Sequence, residues 1–160
     1  GQIRDFQGMN MLCDIGNGTM NIMFINDRKP VLDRMFTEKY GTHQCMLSVR
    51  ENVMRTHHAA VDDAIINRVL RFGTADIRED YLATIRETAA EYVGGIFRIL
   101  REHEYDPALM RLHVLGGGGC LVRNFGAYDA GRVTIYEDIC ATAKGYEFLC
   151  EQALHRGVSG

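Results

Sequence analysis

The sequence predicts an α/β fold, a mixed five-stranded sheet flanked by helices. Three features carry that expectation. Through the first forty residues, apolar side chains recur with the period of two that a strand requires. After Gly41 the period lengthens to that of a helix, and the last third alternates short apolar segments with helical ones.

Met9, Met11, Cys13 and Ile15 alternate with Asn10, Leu12 and Asp14, which reads as a first strand. Gly16-Asn17-Gly18 breaks it, because Gly and Asn tolerate positive φ. Met20 to Ile25 reads as a second strand, Asn26 to Pro30 as a polar turn, and Val31 to Glu38 as a third strand. Two short connections in succession imply an antiparallel meander. Thr42 is a candidate cap for a helix to about His57, with Met46, Arg50, Val53 and Met54 at helical spacing. A shorter helix follows, with Val61, Ile65 and Val69 on one face. Asp76 and Glu79 resemble a capping box opening the clearest helix, whose apolar stripe runs from Leu82 to Leu100 before Asp106-Pro107 stops it. Gly94-Gly95 inside that helix costs roughly 1 kcal/mol each relative to Ala, which predicts a close approach to the sheet.

Leu112 to Leu115 is a short apolar strand of the kind buried in a parallel sheet. Gly116 to Gly119 turns out of it, and a short helix begins near Cys120. Val133 to Tyr136 reads as the fifth strand and Ile139 to Leu154 as the final helix. The absence of a linker or internal repeat predicts a single domain over 1–160. Three antiparallel strands followed by two helix-connected strands is the layout of the ribonuclease-H-like fold.

Composition excludes several classes. A net charge of −3 argues against a nonspecific nucleic-acid-binding face. The five cysteines (Cys13, Cys45, Cys120, Cys140, Cys150) are scattered without a C-x-x-C pair, so free thiols in a reducing cytosol are expected rather than a disulfide scaffold or zinc site. No apolar run approaches the roughly 20 residues of a membrane span, and no signal-peptide pattern opens the chain. A cytoplasmic protein without membrane partners is the expectation. Gly1 in place of Met suggests a trimmed tag or an excised piece of a longer protein.

Two loops carry chemistry. Gly16 and Gly18 leave the first turn with no side chain over its backbone amides, so these can cradle phosphate oxygens as an anion nest, with the Thr19 hydroxyl beside them. Asp14, on the face opposite Met11 and Cys13, can hold the water shell of Mg²⁺. Read alone, the segment fits an ordinary hairpin with two glycines equally well. The second loop, Gly116-Gly117-Gly118-Gly119, lies between a buried strand and a helix N-terminus. Four consecutive glycines suit a backbone that must lie against something flat, such as a purine or ribose-phosphate. A merely flexible loop fits less well between such firmly structured flanks.

In combination these motifs resemble the actin, sugar-kinase and heat-shock-chaperone superfamily. The strand, Asp14 to Thr19 and the following strand look like its second phosphate loop; Val114 to Gly119 looks like its adenosine loop. Ala141 to Tyr146 is similar to the start of the last helix in plasmid-partitioning actins of the ParM/StbA-like branch. The resemblance covers nearly the whole chain, as the second, C-terminal half of such a protein. It departs at Asn17, where many relatives carry Gly, and at Cys120, where a small Ser or Ala is common.

What the resemblance implies is an ATPase half that works with Mg·ATP. Asp14 would help hold the metal through water, Gly16, Asn17, Gly18 and Thr19 would bind phosphates, and Gly116, Gly117, Gly118 and Gly119 would flank the adenosine. A charged pair on the helix after the third strand reaches the ribose in relatives; Arg50 and Glu51 fall on that helix, where a solvated face is the commoner role. The first phosphate loop and the attacking-water residue belong to an N-terminal half, and the residues before the first strand are too few to supply them. The isolated chain is therefore expected to hydrolyse little or no ATP. The family assembles into filaments and reaches DNA only through an adaptor protein. A sugar- or acid-kinase half and a non-catalytic nucleotide-binding scaffold of the same fold are the alternatives. His57-His58 cannot chelate a metal together, because adjacent helical residues diverge by about 100°, and a surface position is expected of both. His113 reads as a satisfied core histidine.

Overall fold

The computed structural model describes residues 6–137. Strands β1 (Met9–Ile15), β2 (Met20–Asn26) and β3 (Lys29–Glu38) form the meander, and β4 (Arg111–Leu115) and β5 (Val133–Ile135) complete a five-stranded sheet in the order β3-β2-β1-β4-β5. The β1–β2 and β2–β3 pairs are antiparallel, whereas β1–β4 and β4–β5 are parallel. Between β3 and β4 come helices α1 (Thr42–His57), α2 (Asp63–Phe72) and α3 (Glu79–Glu102); α4 (Gly119–Phe125) joins β4 to β5. The predicted final helix and the Ala141–Tyr146 segment lie outside the described residues.

The period of two in β1 and β2 sorts side chains onto two faces. Met11, Cys13, Ile15, Met20, Ile22 and Phe24 meet Cys45, Val49 and Val53 of α1 and Ile85, Ala89, Val93 and Ile96 of α3 in the main core. Each fully buried aliphatic side chain there contributes roughly 1.5–3 kcal/mol. Leu12, Met23, Ile25 and Leu115 face the other way, with Phe6 and Tyr136. On that second face His113 is 2% exposed, bonded through Nε2 to Asn10 Oδ1 (3.1 Å) and through Nδ1 to the Tyr136 hydroxyl (3.0 Å). It is the satisfied core histidine the sequence implied.

Several local expectations change. The β2–β3 turn is only Asp27-Arg28, both at positive φ (46° and 66°), so β3 starts at Lys29 and carries Pro30 on an edge strand, where its missing N–H costs no ladder bond. Gly41, not Thr42, caps α1, and the Gln44 side chain accepts from the Gly41 N–H at 2.9 Å. The buried stripe of α1 is Cys45-Val49-Val53; of the predicted set Val53 is buried and Met46 packs partly buried against the core, while Met54 is 48% exposed. On α2, Ile66, Val69 and Leu70 are buried, and Val61 precedes the helix. Asp76 makes no capping box, because α3 begins one residue after Arg78 and Asp80 takes the acidic first-turn role, accepting from the Tyr81 N–H (3.0 Å). His57 is not a surface residue: it stacks on Tyr81 with ring centroids 4.1 Å apart and bonds Thr84 Oγ1 at 2.8 Å, tying α1 to α3. Of the paired glycines, Gly95 makes the close approach, to Tyr40 after β3 rather than to a sheet strand; a Cβ on it would sit 2.9 Å from Tyr40 Cζ. A Cβ on Gly94 would meet nothing within 4 Å.

Candidate functional site: two loops on one cleft

The hairpin turn after β1 is held from one side. Its Gly16 N–H donates to Thr19 O at 2.9 Å, closing the turn. Its carbonyls are taken by the start of α1: Thr42 N–H donates to Gly16 O (3.0 Å), His43 N–H to Asn17 O (2.8 Å) and the Gln44 side-chain amide to Gly18 O (2.9 Å). The first-turn amides of a helix need acceptors, and here the turn supplies them. Among the described residues, the backbone amides of Asn17, Gly18 and Thr19 have no acceptor. The arrangement satisfies the turn's oxygens and leaves these three donors without a protein acceptor among the described residues.

This docking depends on Gly41, which sequence reasoning missed. A Cβ there would lie 2.6 Å from the Asn17 carbonyl carbon and 2.7 Å from Gly16 O. Tyr92 of α3 donates its hydroxyl to Gly41 O at 2.7 Å and stacks on Tyr40. Burial pushes the Tyr92 phenol pKa up, so it remains a donor. A Gly directly before a helix and after a strand was the available signal.

The tetraglycine is pressed onto the end of β1. Gly118 N–H donates to Ile15 O at 3.0 Å, and a Cβ on Gly118 would meet Ile15 Cβ at 2.6 Å. Gly116 adopts φ +82°, and a Cβ on it would fall 2.5 Å from both Asp14 Oδ1 and Ile15 O. The carboxylate of Asp14 therefore lies directly over the second loop. Gly119 starts α4 against Ile135, and a Cβ on Gly117 would meet nothing within 4 Å. Three of the glycines serve close packing; Gly117 faces open space.

The two loops meet along one cleft of about 830 Å³. Asn17, Gly116, Gly117 and Gly119 line it, with Thr42, His43 and Met46 of α1, whereas Asp14, Gly16, Gly18, Thr19 and Gly118 are not part of its lining. The C-terminal turn of α2 (Asn67, Leu70, Arg71, Phe72), Cys120 and Arg123 of α4, and the end of β5 form the rest. None of these last was read from the sequence, since α2, α4 and β5 are brought together only by the fold. Asn124 donates its side-chain amide to Leu70 O (3.0 Å) and Arg71 O (2.9 Å), which fixes α2 to α4 across the cleft floor. Cys120 donates its thiol to Gly117 O at 3.1 Å, and burial raises its pKa. Arg123 is ion-paired with Glu137.

Glu51 does not reach this cleft. It lines a separate groove with Leu47, Met54 and the α1–α2 connection, while Arg50 is committed to a two-point pair with Asp63 whose Nε–Oδ1 arm is 2.7 Å. Among the described residues no group of three His, Cys, Asp or Glu could ligate a metal. No helix of the described residues is long and apolar enough to cross a membrane.

This fold is that of the actin-like ATPases. The chain superposes on the MreB5 protein of Spiroplasma citri bound to ADP with a TM-score of 0.64 at 14% identity, over 96% of this chain and 56% of that one. It is similar to Ta0583, an archaeal actin homolog, in complex with ADP (TM-score 0.57, 18% identity, 91% and 50% covered). The ParM of Bacillus thuringiensis with ATP is also similar (TM-score 0.56, 12% identity, 82% and 42% covered). The chain thus spans about half the length of the structures it resembles. No family model matches the sequence, and no curated protein does.

Proposed function

We propose that this chain is the ATP-binding second half of an actin-like, filament-forming ATPase of the plasmid-segregation type, acting in the cytoplasm. One observation carries the reading: the hairpin and the tetraglycine are clamped together at Asp14-Ile15 and share a single cleft. The unpaired amides of Asn17, Gly18 and Thr19 would receive the phosphates, and Gly116 to Gly119 would lie along the adenosine. Asp14 would orient the water shell of Mg²⁺, which when bound neutralises phosphate charge during phosphoryl transfer. A preceding half would supply the first phosphate loop and the residue that positions attacking water. Nucleotide-driven closure of the two halves would favour self-association, and hydrolysis would reverse it. DNA would be reached through an adaptor, in keeping with the acidic net charge.

The test uses the full-length protein. Light scattering with Mg·ATP is expected to rise above a threshold protein concentration and to fall as ATP is consumed. ATP consumption that requires an added sugar or acid, without scattering, would overturn the filament reading in favour of a kinase. No nucleotide binding at millimolar ATP or ADP would overturn the nucleotide reading itself.

A further inference from the structure

A second cavity, of about 420 Å³, lies between α3 and the connection from α4 to β5 and shares no lining residue with the cleft between the two loops. Its volume is in the usual range for a small-ligand pocket. Gly94 is part of its wall. A Cβ on Gly94 would touch nothing within 4 Å, so packing does not require glycine there, although glycine weakens a helix interior. What the missing side chain does is keep the cavity open.

The remaining walls are amphipathic. Phe97 of α3 and Tyr128 of the connection are stacked, with centroids 6.5 Å apart, and form an aromatic side. Arg101 and Arg132 add two guanidinium groups to the same cavity. The Nε of Arg132 is buried and has no hydrogen-bond partner, the only such side-chain atom among the described residues. The buried Nε itself is closed to a ligand; what the lining offers an anion is the charge of the two guanidinium groups. Asp129, the acidic residue in the lining, spends a carboxylate oxygen on the Gly131 N–H (2.8 Å) within its own turn. Tyr105 completes the polar end; its burial raises the phenol pKa, so it stays a donor.

We infer that this cavity binds an apolar, aromatic-sized group carrying an adjacent carboxylate, with the ring on Phe97 and Tyr128 and the carboxylate on Arg132 and Arg101. A free aromatic acid and the C-terminal residue of a peptide share that chemistry. The inference stands independently of the nucleotide reading.

Calorimetric titration of the chain distinguishes the sources. The probes are indole-3-propionate with its primary amide, and Gly-Gly-Phe with its C-terminal amide. At least one carboxylate is expected to bind with a Kd of about 1 mM or tighter, and its amide at least about tenfold more weakly. The free acid binding alone assigns a small-molecule site; the peptide binding more tightly assigns a peptide C-terminus. Gly94→Leu, which fills the cavity from the helix, is expected to abolish binding without lowering the melting temperature. Arg132→Gln is expected to erase the difference between carboxylate and amide. Equal binding of acid and amide, no binding by either acid, or full binding by Gly94→Leu would each overturn the assignment.

Discussion

Gly118 and Ile15 are joined twice: the Gly118 N–H donates to Ile15 O at 3.0 Å, and its α-carbon is seated where a Cβ would strike Ile15 Cβ at 2.6 Å. That contact fastens the second loop to the strand end from which the first loop begins. Gly118→Ala is therefore expected to destabilise the chain by about 1–3 kcal/mol, the usual cost of overpacking. Gly117→Ala, next door but facing open space, is expected to stay within about 0.5 kcal/mol of wild type while weakening nucleotide binding. Urea unfolding of the two variants, with ATP titration of the second, checks both.

Tyr92→Phe removes the hydroxyl that holds Gly41 O and leaves that carbonyl with the long bond from Cys45 N–H (3.4 Å). The loss is expected to be about 1 kcal/mol in a urea midpoint series. Because Gly41 seats the hairpin, nucleotide affinity should fall more than the stability change alone explains.

Thiol chemistry should separate three cysteines. Cys13 and Cys45 are fully buried, and burial lifts the Cys45 pKa to about 12 and that of Cys13 higher still. Cys120 is partly exposed on the cleft between the two loops. Iodoacetamide at neutral pH, followed by peptide mass analysis of these sites, is expected to label Cys120 first, and Mg·ATP to protect it. Faster labelling of Cys45 would contradict the packing of α1.

Acid titration tests the start of α3. The hydrogen bond from Arg78, with its charge and the Tyr81 N–H, holds the Asp80 carboxyl at about 2, below its ordinary 3.8. A depressed folded pKa means that the stabilisation is complete above 3.8 and is lost as pH falls from 3.8 toward 2. Asp80→Asn should thus flatten the stability profile in that window. The effect should be small, since the pair is exposed.

Much of the fold was legible because its signals are local. The Met9–Ile15 alternation, the Gly16–Gly18 break and the Leu82–Leu100 stripe each sit in one stretch of chain, and all became elements where expected. Errors arose where a choice depended on a distant neighbour. The buried stripe of α1 is set by where the helix meets β1 and α3, so Cys45 is buried there and Met46 only partly so. Asp76 resembled a cap in sequence, yet Arg78 and Asp80 make a tighter local pair. The glycines at 116–119 announced a close approach, but not that the partner of Gly116 and Gly118 would be Asp14-Ile15, a hundred residues earlier. The walls from α2, α4 and β5, and the cavity beside Gly94, exist only once the chain is folded.

If the hairpin and the tetraglycine form one nucleotide-binding wall, both must respond to nucleotide together. Titration of the ¹⁵N-labelled chain with Mg·ATP, followed by amide chemical shifts, tests it most directly. The largest shifts are expected to fall together on Asn17, Gly18, Thr19 and Gly117, Asp14→Asn to reduce them, and amides lining the Gly94 cavity to stay in place. Shifts at only one of the two loops, or none at about 10 mM nucleotide, far above the range of useful binding, would contradict it.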